Sequence, residues 1–326
     1  MNSKVLPCFV LAAFLGFPLP APANESRWTS YSGAYDGSAG VSIDATLFAC
    51  GSDEDNLIRI YPYSGGRPVE VLDLSIFLRV DPHSPETDLE GAARIGDRIY
   101  WITSHGRNKK GKDSPSRRRF FATDVRPSSQ TPRIAPIGRP YFDLLEDLVS
   151  DNRLRGFGLD RASTHAPKQP GGLNIEALTA TSAKHLLIGF RNPVRGGRSL
   201  IVPLLNPDEV IEGRRAKFGE PVQLDLEGLG IRSLASWDEG FVILAGPIGT
   251  AGRFKIFRWA GDDSAPVAIA CNMPSDFTPE TVLMPAATSR EGFLLLSDDS
   301  VVQKARSKVA TTAKHQIEFR GLWIQP

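Results

Sequence analysis

The sequence predicts an all-β fold made of repeated units, and three observations support this. A motif consisting of an acid, an apolar strand, a turn, a second apolar strand and a polar loop recurs along the chain. Short runs rich in β-branched and aromatic residues are bounded by Gly, Pro, Asp and Asn clusters, as strands usually are. Convincing helical periodicity is found in one segment, residues 141–151. Repetition on this scale with few helices is typical of a β-propeller.

Four copies of the motif are clear. The first two contain Glu90 and Glu176, and each Glu is followed by an Arg-Asn pair, 17 and 15 residues later respectively. A third copy contains Glu280 and ends in Asp-Asp, and a fourth has Arg232 where the others have Glu. A weaker copy precedes them and contains Asp44. Three of the four intervals, of 46, 56 and 48 residues, suit a four-stranded blade, so the sequence predicts five blades.

The interval between Glu90 and Glu176 is 86 residues, which is too long for one blade. We predict an insertion at about residues 108–172 that contains one short helix. A six-bladed ring, with the extra blade within residues 119–170, is the alternative. The start of this region is basic, with seven Lys and Arg residues between positions 107 and 119. Such a run could grip an anion, but a solvated hairpin tip is the favoured interpretation.

Strand signals allow the blades to be placed in more detail. Nine predicted strands cover residues 56–63, 98–103, 119–125, 185–190, 199–205, 240–244, 253–259, 292–296 and 317–324. Tight turns are expected at residues 96–97, 238–240 and 290–292. We expect residues 28–31 to complete the last blade by pairing beside residues 316–324, because this closes the ring without leaving an open edge.

The first 23 residues resemble a secretory signal peptide. Lys4 precedes an apolar stretch, and Ala21-Pro-Ala23 is a small-residue cleavage site. The protein is therefore expected to be periplasmic or secreted, with residues 24–326 forming a single propeller domain. Lys4 is the only charged residue of this leader, so the remaining chain carries no net charge. That balance argues against nucleic acid as a partner, and no later apolar stretch is long enough to span a membrane.

Two cysteines remain after the leader, Cys50 and Cys271. Export permits a disulfide bond between them. They lie in strand-like segments of different repeats, however, so two buried thiols are an equally good interpretation. The sequence leaves their pairing open.

The expected site lies at the mouth of the central channel. In a propeller, the first strand of each blade lines this channel, and the loop between its second and third strands lies at the end where the first strand begins. Motif residues and loop residues should therefore meet there. The candidate catalytic residues are Glu90, Glu176 and Glu280. The candidate metal ligands are the same three glutamates with Asp44, Asp53 and Asp298. The candidate substrate-binding residues are His105, Arg107, Asn108, Arg191, Asn192 and Arg232.

Carboxylates and arginines in one cluster suggest particular chemistry. Carboxylate oxygens suit a hard cation, with Ca²⁺ as the first candidate. Guanidinium groups bind phosphate or carboxylate groups in a bidentate manner. A cation beside arginines would suit hydrolysis of a phosphate ester. The alternative interpretation is that the glutamates and arginines pair with each other as struts between blades.

Other enzyme classes are disfavoured. The chain contains no Gly-x-Ser-x-Gly nucleophile elbow and no phosphate-binding Gly-rich loop followed by Lys. It also contains no pair of cysteines at zinc-binding spacing. A serine hydrolase or a nucleotide-binding enzyme is therefore not expected.

Several of these segments resemble known families. Two resemble the strand openings of the esterase-like phytase propellers: Asp88-Leu-Glu90-Gly-Ala, and Asn174-Ile-Glu176-Ala-Leu with the later Arg191-Asn192-Pro193. Two others are similar to an uncharacterised bacterial family of domains of unknown function allied to those phytases: Asp53-Glu-Asp-Asn56-Leu-Ile-Arg-Ile-Tyr61 and Ser104-His-Gly-Arg-Asn108. The resemblance covers residues 36–322 and implies a secreted β-propeller with a phytase-like activity. The chain departs from it at Arg232 and at Ala245-Gly-Pro247, which replaces the polar loop.

Two functions remain open on the sequence alone. One is a metal-assisted hydrolase that acts on phosphorylated or otherwise anionic small molecules. The other is a non-catalytic propeller whose channel face binds a ligand or a protein partner.

Overall fold

The computed structural model describes residues 27–126, 128, 131–285, 292–303 and 317–325. The predicted signal peptide, residues 1–23, and most of the turn predicted at residues 290–292 lie outside these residues. The described chain forms five antiparallel sheets of four strands each. The prediction of an all-β fold with five blades is confirmed.

Each blade consists of four strands that are adjacent in space. Blade 1 contains β2 (Ala39–Ser42), β3 (Leu47–Gly51), β4 (Leu57–Pro62) and β5 (Glu70–Asp73). Blade 2 contains β6 (Leu89–Ile95), β7 (Arg98–Thr103), β8 (Phe120–Arg126) and β9 (Arg133–Tyr141). Blade 3 contains β10 (Asn174–Ala180), β11 (Leu186–Asn192), β12 (Arg198–Leu204) and β13 (Val222–Asp225). Blade 4 contains β14 (Gly230–Trp237), β15 (Gly240–Gly246), β16 (Lys255–Trp259) and β17 (Val267–Ile269). Blade 5 contains β18 (Pro279–Leu283), β19 (Phe293–Ser297), β20 (Glu318–Ile324) and β1 (Arg27–Ser32).

The five blades form a closed ring. The first strand of each blade contacts the first strands of its two neighbours, including β18 of blade 5 and β2 of blade 1. β1 pairs antiparallel with β20, from Arg27 opposite Trp323 to Ser32 opposite Glu318. This is the predicted closure, in which the start of the described chain supplies the outer strand of the last blade.

Aromatic packing holds this closure at the seam between blades 5 and 1. The ring of Tyr31 on β1 is fully buried, and its centroid lies 5.2 Å from that of Phe319 and 5.3 Å from that of Phe48. The Tyr61 ring packs against the same group, and its hydroxyl donates to the carbonyl of Ser32. Each such aromatic pair contributes about 0.5–1.5 kcal/mol beyond its buried area. The first and last blades are therefore joined by packing as well as by strand pairing.

The long interval between the first two motifs is explained without a sixth blade. The range 119–170 contains β8 and β9, which are the outer strands of blade 2, so the six-blade alternative is wrong. The predicted helix is present as α1 (Leu144–Ser150), and it is followed by a 3₁₀ turn (Asn152–Phe157) and α2 (Leu159–Ala162). The insertion is consequently narrower than residues 108–172. It consists of the connection between β7 and β8 and of the segment between β9 and β10.

Two more short helical segments, like the 3₁₀ turn and α2 that follow α1, were not predicted from the sequence. They are a 3₁₀ turn (Pro115–Arg117) and α3 (Pro207–Ile211). α3 has five residues, too few for an apolar periodicity of 3.6 residues to be visible. No helix among the described residues has the length and apolar character needed to cross a bilayer.

In four blades the first strand contains a β-bulge at the motif residue. The pairing of β6 with β7 skips Glu90, between Leu89 and Gly91. The corresponding pairings in blades 3, 4 and 5 skip Glu176, Arg232 and Glu280. A bulge releases one residue from the ladder and redirects its side chain. The motif that repeats in the sequence therefore marks a bulge that repeats in the structure.

Close contact between inner strands depends on small residues. A Cβ atom on Gly91 would lie 2.9 Å from the backbone nitrogen of Leu178 on the first strand of blade 3. A side chain at this position would push blades 2 and 3 apart. The close approach of these strands places the bulged residues Glu90 and Glu176 near each other in the channel.

Candidate functional site

A cavity of about 780 Å³ lies at the mouth of the channel. The three candidate catalytic residues, Glu90, Glu176 and Glu280, all line it. Beneath them the channel narrows to a void of about 10 Å³ between the first strands of the blades. A separate cavity of about 180 Å³ lies around the opposite ends of these strands. The mouth cavity is thus a pocket with a narrow floor, in the size range of small-molecule sites.

Arg232 is the centre of a buried ion-pair network on one side of this floor. Its Nη1 atom lies 2.8 Å from Oε2 of Glu176, and its Nη2 atom is bonded to Oε1 of Glu280. Arg191 adds a second cation, with Nη1 2.8 Å from Oε1 of Glu176. Arg191 also donates to the carbonyls of Pro247 and Gly249. Glu176 and Glu280 are therefore struts that tie blades 3, 4 and 5 together.

A smaller network lies on blade 2. The guanidinium of Arg117 donates from Nη1 to Oδ2 of Asp88 at 2.8 Å, and its Nη2 atom is bonded to Glu86. Burial raises the pKa of Asp88 to about 6, although Arg117 acts in the opposite direction. Arg117 also fixes the β7–β8 connection, because its carbonyl accepts from the backbone N–H of His105.

Glu90 differs from the other two glutamates. The residue is 9% exposed and lines the cavity, yet no hydrogen bond or ion pair to its carboxyl group is found among the described residues. Burial, followed by the charges of Glu176 and Asp88, raises the pKa of Glu90 well above its usual value. A largely desolvated carboxyl group that borders a cavity and has no partner in the described structure is available to a ligand.

Three aspartates near the seam of blades 5 and 1 also lack a cationic partner in the described structure. Asp36 is fully buried and accepts from the Ser52 hydroxyl at 2.6 Å and from the backbone N–H of Asp53 at 3.0 Å. Asp298 pairs with Asp36 in an isolated antiparallel bridge and accepts from the backbone N–H of Ser300. Burial raises the pKa of Asp36 to about 6, and burial together with Asp36 raises that of Asp53 well above its usual value.

Four lysines border the cavity on the opposite side. Lys109, Lys110 and Lys112 are on the β7–β8 connection, and Lys168 is on the segment before β10. All four side chains are exposed, and none forms an ion pair within the described residues. The basic loop therefore faces the site, whereas the sequence favoured a solvated hairpin tip.

Asp44 is not part of the ring. It lies in the turn between β2 and β3, after the far end of the first strand, so its predicted position at the channel mouth is wrong. Its Oδ1 atom accepts from the backbone N–H groups of Thr46 and Leu47, which stabilises that turn. The residue of blade 1 at the level of the glutamates is Ser38, whose hydroxyl contacts Asp36 and Glu280. In blade 1 the motif position is therefore Ser38, six residues before the predicted Asp44.

Three predicted substrate-binding residues do not line the cavity. Arg107 donates to the carbonyls of Ser163 and Gly111 and does not line the cavity. Asn192 is fully buried and donates to the carbonyls of Pro167 and Gln169, which holds the segment before β10 in place. His105 is buried, and burial lowers its pKa to about 4, so it is neutral at physiological pH.

Other predicted residues reach the cavity with restricted side chains. Asn108 lines it, but its Oδ1 atom accepts from the backbone N–H groups of Lys110 and Lys112. Arg191 lines it while bonded to Glu176, and Arg232 lies beneath it. Asp53 and Asp298 line it with Glu90. Asp36 was missed by the sequence analysis, since it precedes its strand and belongs to no repeated motif.

No three or more Asp, Glu, His or Cys side chains among the described residues are grouped so as to hold one metal ion. Both remaining cysteines are free thiols, with Cys50 buried and Cys271 partly exposed. Burial raises the pKa of Cys50 above the usual thiol value.

The chain is similar to a family whose function is not known. Residues 137–291 match the family described as "Protein of unknown function (DUF3616)". The match covers slightly less than half of the chain. It agrees with the expected resemblance to a family of unknown function, and the expected alliance with the phytases stays a prediction. No curated protein matches the chain.

Several solved structures align with most of this chain at low sequence identity. Glutaminyl cyclase of Myxococcus xanthus is 11% identical, with 90% of this chain and 93% of that chain covered and a TM-score of 0.44. The PQQ-bound aldose sugar dehydrogenase of Streptomyces coelicolor is 14% identical, with 93% and 99% covered and a TM-score of 0.42. The sialidase of Trypanosoma rangeli is 12% identical, with 82% and 43% covered and a TM-score of 0.40. Identities and TM-scores this low say nothing about what the cavity binds.

Proposed function

We propose that the mouth cavity binds a small anionic molecule, phosphorylated or carboxylated, and hydrolyses it with Glu90 as the acid–base group. One observation carries this proposal. Glu90 lies at the floor of a cavity of about 780 Å³, its carboxyl group forms no hydrogen bond or ion pair with the described residues, and its pKa is raised well above the usual value. Perturbed carboxyl groups in clefts are concentrated at functional sites.

The raised pKa determines what Glu90 can do. A carboxyl group with a raised pKa keeps its proton to a higher pH than usual and can donate it to the oxygen of a departing alcohol. In the hydrolysis of a phosphate ester, water forms the new P–O bond as the ester P–O bond breaks. The leaving oxygen takes the proton from Glu90, and a proton from the attacking water restores the carboxyl group. The four lysines at the rim would bind the anionic group through charge-assisted hydrogen bonds.

Calcium bound by Glu90, Glu176 and Glu280 does not fit these residues. Arg232 already supplies positive charge and hydrogen bonds to Glu176 and Glu280, and Arg191 supplies more to Glu176. A cation at the same place would have to displace a buried guanidinium. No step of the proposed reaction therefore passes through a metal ion.

A non-catalytic propeller that binds a ligand or a protein partner is the second candidate. It is favoured by the ion pairs of Glu176 and Glu280, since two of the three candidate catalytic residues act as struts. In that case Glu90 would contact a ligand without transferring a proton.

Turnover by the Glu90→Gln variant distinguishes the two candidates. We expect the wild-type protein to hydrolyse members of a panel of phosphate monoesters and carboxylate esters, and the variant to lose at least about 100-fold in kcat with its fold retained. Glu212→Gln, an exposed residue outside the cavity, is the matched control and should retain full activity. Unchanged turnover in Glu90→Gln would reject the assigned role. Ligand binding without hydrolysis anywhere in the panel would favour the non-catalytic candidate.

We also propose that the protein is exported, on the basis of residues 1–23. Amino-terminal sequencing of protein from a periplasmic or culture fraction should give a chain that begins near Asn24. Recovery of uncleaved protein from the cytosol alone would contradict this.

A further inference from the structure

The cavity has two walls of opposite charge. The lysine wall consists of Lys109, Lys110, Lys112 and Lys168, which lie at the seam between blades 2 and 3. The acid wall consists of Asp53 and Asp298, backed by Asp36, and lies at the seam between blades 5 and 1. In a ring of five blades, the seam between blades 2 and 3 faces blade 5 across the axis. The acid wall lies next to blade 5 and is two blades away from the lysine wall by the shorter route around the ring, so the two walls are on different sides of the cavity.

Neither wall is neutralised by its own neighbours. On the lysine side the nearby acids are already paired, Glu86 and Asp88 with Arg117 and Asp113 with Arg118. On the acid side the nearby arginines are also paired, Arg59 with Asp55 and Arg320 with Asp299 and Asp276. Within the described residues, the four ammonium groups of one wall and the three carboxyl groups of the other form no ion pair.

The acid wall opposes a purely anionic ligand. A phosphate or carboxylate held by the lysines would share the cavity with Asp53 and Asp298, and the like charges would weaken its binding at any pH where these carboxyl groups are ionised. Binding improves if the part of the ligand that faces the acid wall is positively charged. Glu90, a buried residue on the floor between the walls whose carboxyl group has no partner among the described residues, is an independent sign that a ligand completes this site.

We propose that the substrate is bipolar, with a phosphate or carboxylate group bound by the lysine wall and an ammonium group bound by Asp53 and Asp298. This inference rests on the proposed function, because it names the substrate class of the same cavity. An ammonium group donates three hydrogen bonds and tolerates varied acceptor geometry. A single bipolar molecule satisfies both walls, whereas a metal ion alone would leave the four lysines without an anion.

Matched probes test the inference. Three molecules share the same carbon chain: 3-aminopropylphosphonate carries both charges, propylphosphonate carries only the anion, and propylamine carries only the cation. Ligand-observed NMR on the full chain gives their dissociation constants even when binding is weak. Aminoethyl and aminobutyl homologues cover other separations of the two charges. We expect the best aminophosphonate to bind at least about tenfold more tightly than its amine-free analogue, a difference of about 1.4 kcal/mol.

Variants assign the effect to each wall. Asp53→Asn should abolish the advantage of the amino group and leave propylphosphonate binding unchanged or improved. The double variant Lys110→Gln/Lys168→Gln should weaken both phosphonates. Lys184→Gln, an exposed lysine in the turn between β10 and β11 that does not line the cavity, is the control and should change neither. Each variant is compared with wild type by circular dichroism, so that a loss of fold is recognised.

The possible outcomes separate this inference from the proposed function. Equal binding of the aminophosphonate and its amine-free analogue would overturn the bipolar substrate and leave anion binding intact. A preference for the aminophosphonate in a protein without ester hydrolysis would support the bipolar ligand and reject the catalytic role. If phosphonate binding requires added Ca²⁺ and the amino group brings no gain, a metal ion occupies the acid wall and the inference is wrong. Absence of binding by every probe would reject both the anion site and the bipolar ligand.

Discussion

The same motif position has two different fates in this propeller. In blades 3, 4 and 5 the bulged residues Glu176, Arg232 and Glu280 form one buried chain of ion pairs. In blade 2 the bulged residue Glu90 is equally buried and has no partner in the described structure. All four blades share the β-bulge, so the difference arises from the side chains at the same position on the adjacent blades. Arg232 is on the blade between those of Glu176 and Glu280, whereas Glu90 is flanked by Ser38 on one side and by Glu176 on the other.

This contrast shows that copies of one motif can differ in role, with some stabilising the fold and another available to a ligand. Paired charges hold three blades in register and are difficult to remove. The unpaired carboxyl group destabilises the folded state, which proteins tolerate mainly where a ligand or a reaction requires it. The recurrence of a residue type in sequence therefore indicates a common location and does not establish a common role.

The largest expected effect follows from breaking the paired side. Arg232→Met leaves the carboxylates of Glu176 and Glu280 buried with less compensation, and we expect a loss of about 3–5 kcal/mol in the free energy of unfolding. Urea denaturation measures this. The double variant Arg232→Met/Glu176→Gln should recover part of the loss, because it removes one of the unpaired charges. A surface pair gives the comparison, because Arg153→Met removes an exposed partner of Asp151 and should leave the free energy of unfolding nearly unchanged. Similar losses at both positions would contradict the strut assignment.

A smaller effect of opposite sign is expected on the unpaired side. Because the pKa of Glu90 is raised on folding, the native state binds this proton more tightly than the unfolded state does, and stability falls as pH rises above the usual value of 4.5. Glu90→Gln removes the ionisable group and with it this decrease in stability at higher pH. We expect the variant to be more stable than wild type at pH 7.5, by on the order of 1 kcal/mol. Thermal melts between pH 4 and pH 8 measure the difference.

The pH dependence is the decisive part of that prediction. The advantage of Glu90→Gln should disappear as the pH falls below 4.5, where the carboxyl group is protonated in both states. Glu212→Gln should show no such trend. A Glu90→Gln variant that is less stable than wild type at pH 7.5 would mean that the carboxylate has a stabilising partner.

The smallest expected effect concerns calcium. Because Arg232 already neutralises Glu176 and Glu280, adding millimolar Ca²⁺ after EDTA treatment should shift the melting temperature by less than about 1 °C through these residues. A site held at 100 times its dissociation constant would stabilise the protein by about 2.7 kcal/mol, so a real site could not be missed. A rise in wild type that vanishes in Glu90→Gln/Glu176→Gln would contradict this and restore the three-glutamate metal site.

Much of the fold could be predicted because it depends on local patterns. All nine predicted strands are present within two residues of their expected bounds, because the alternation of apolar residues and the turn residues around them are local signals. The pairing of the first described strand with β20 was predictable as well, since an open ring would leave an exposed edge. The first blade was misaligned at Asp44 because its inner strand is short and begins at Ala39 without an acidic motif.

The sequence by itself determined the five repeats, the channel mouth as the meeting point of the motif residues, and the candidacy of Glu90, Glu176 and Glu280. Only the tertiary structure decided which of these charges are paired, because a pair such as Arg232 and Glu280 joins residues 48 positions apart on different blades. It also decided that the lysines face the cavity and that Asp36 stands behind Asp53. The physical reason is that residue type sets which charges are present, while burial and the nearest opposite charge, which depend on how the blades close, set what each charge can do.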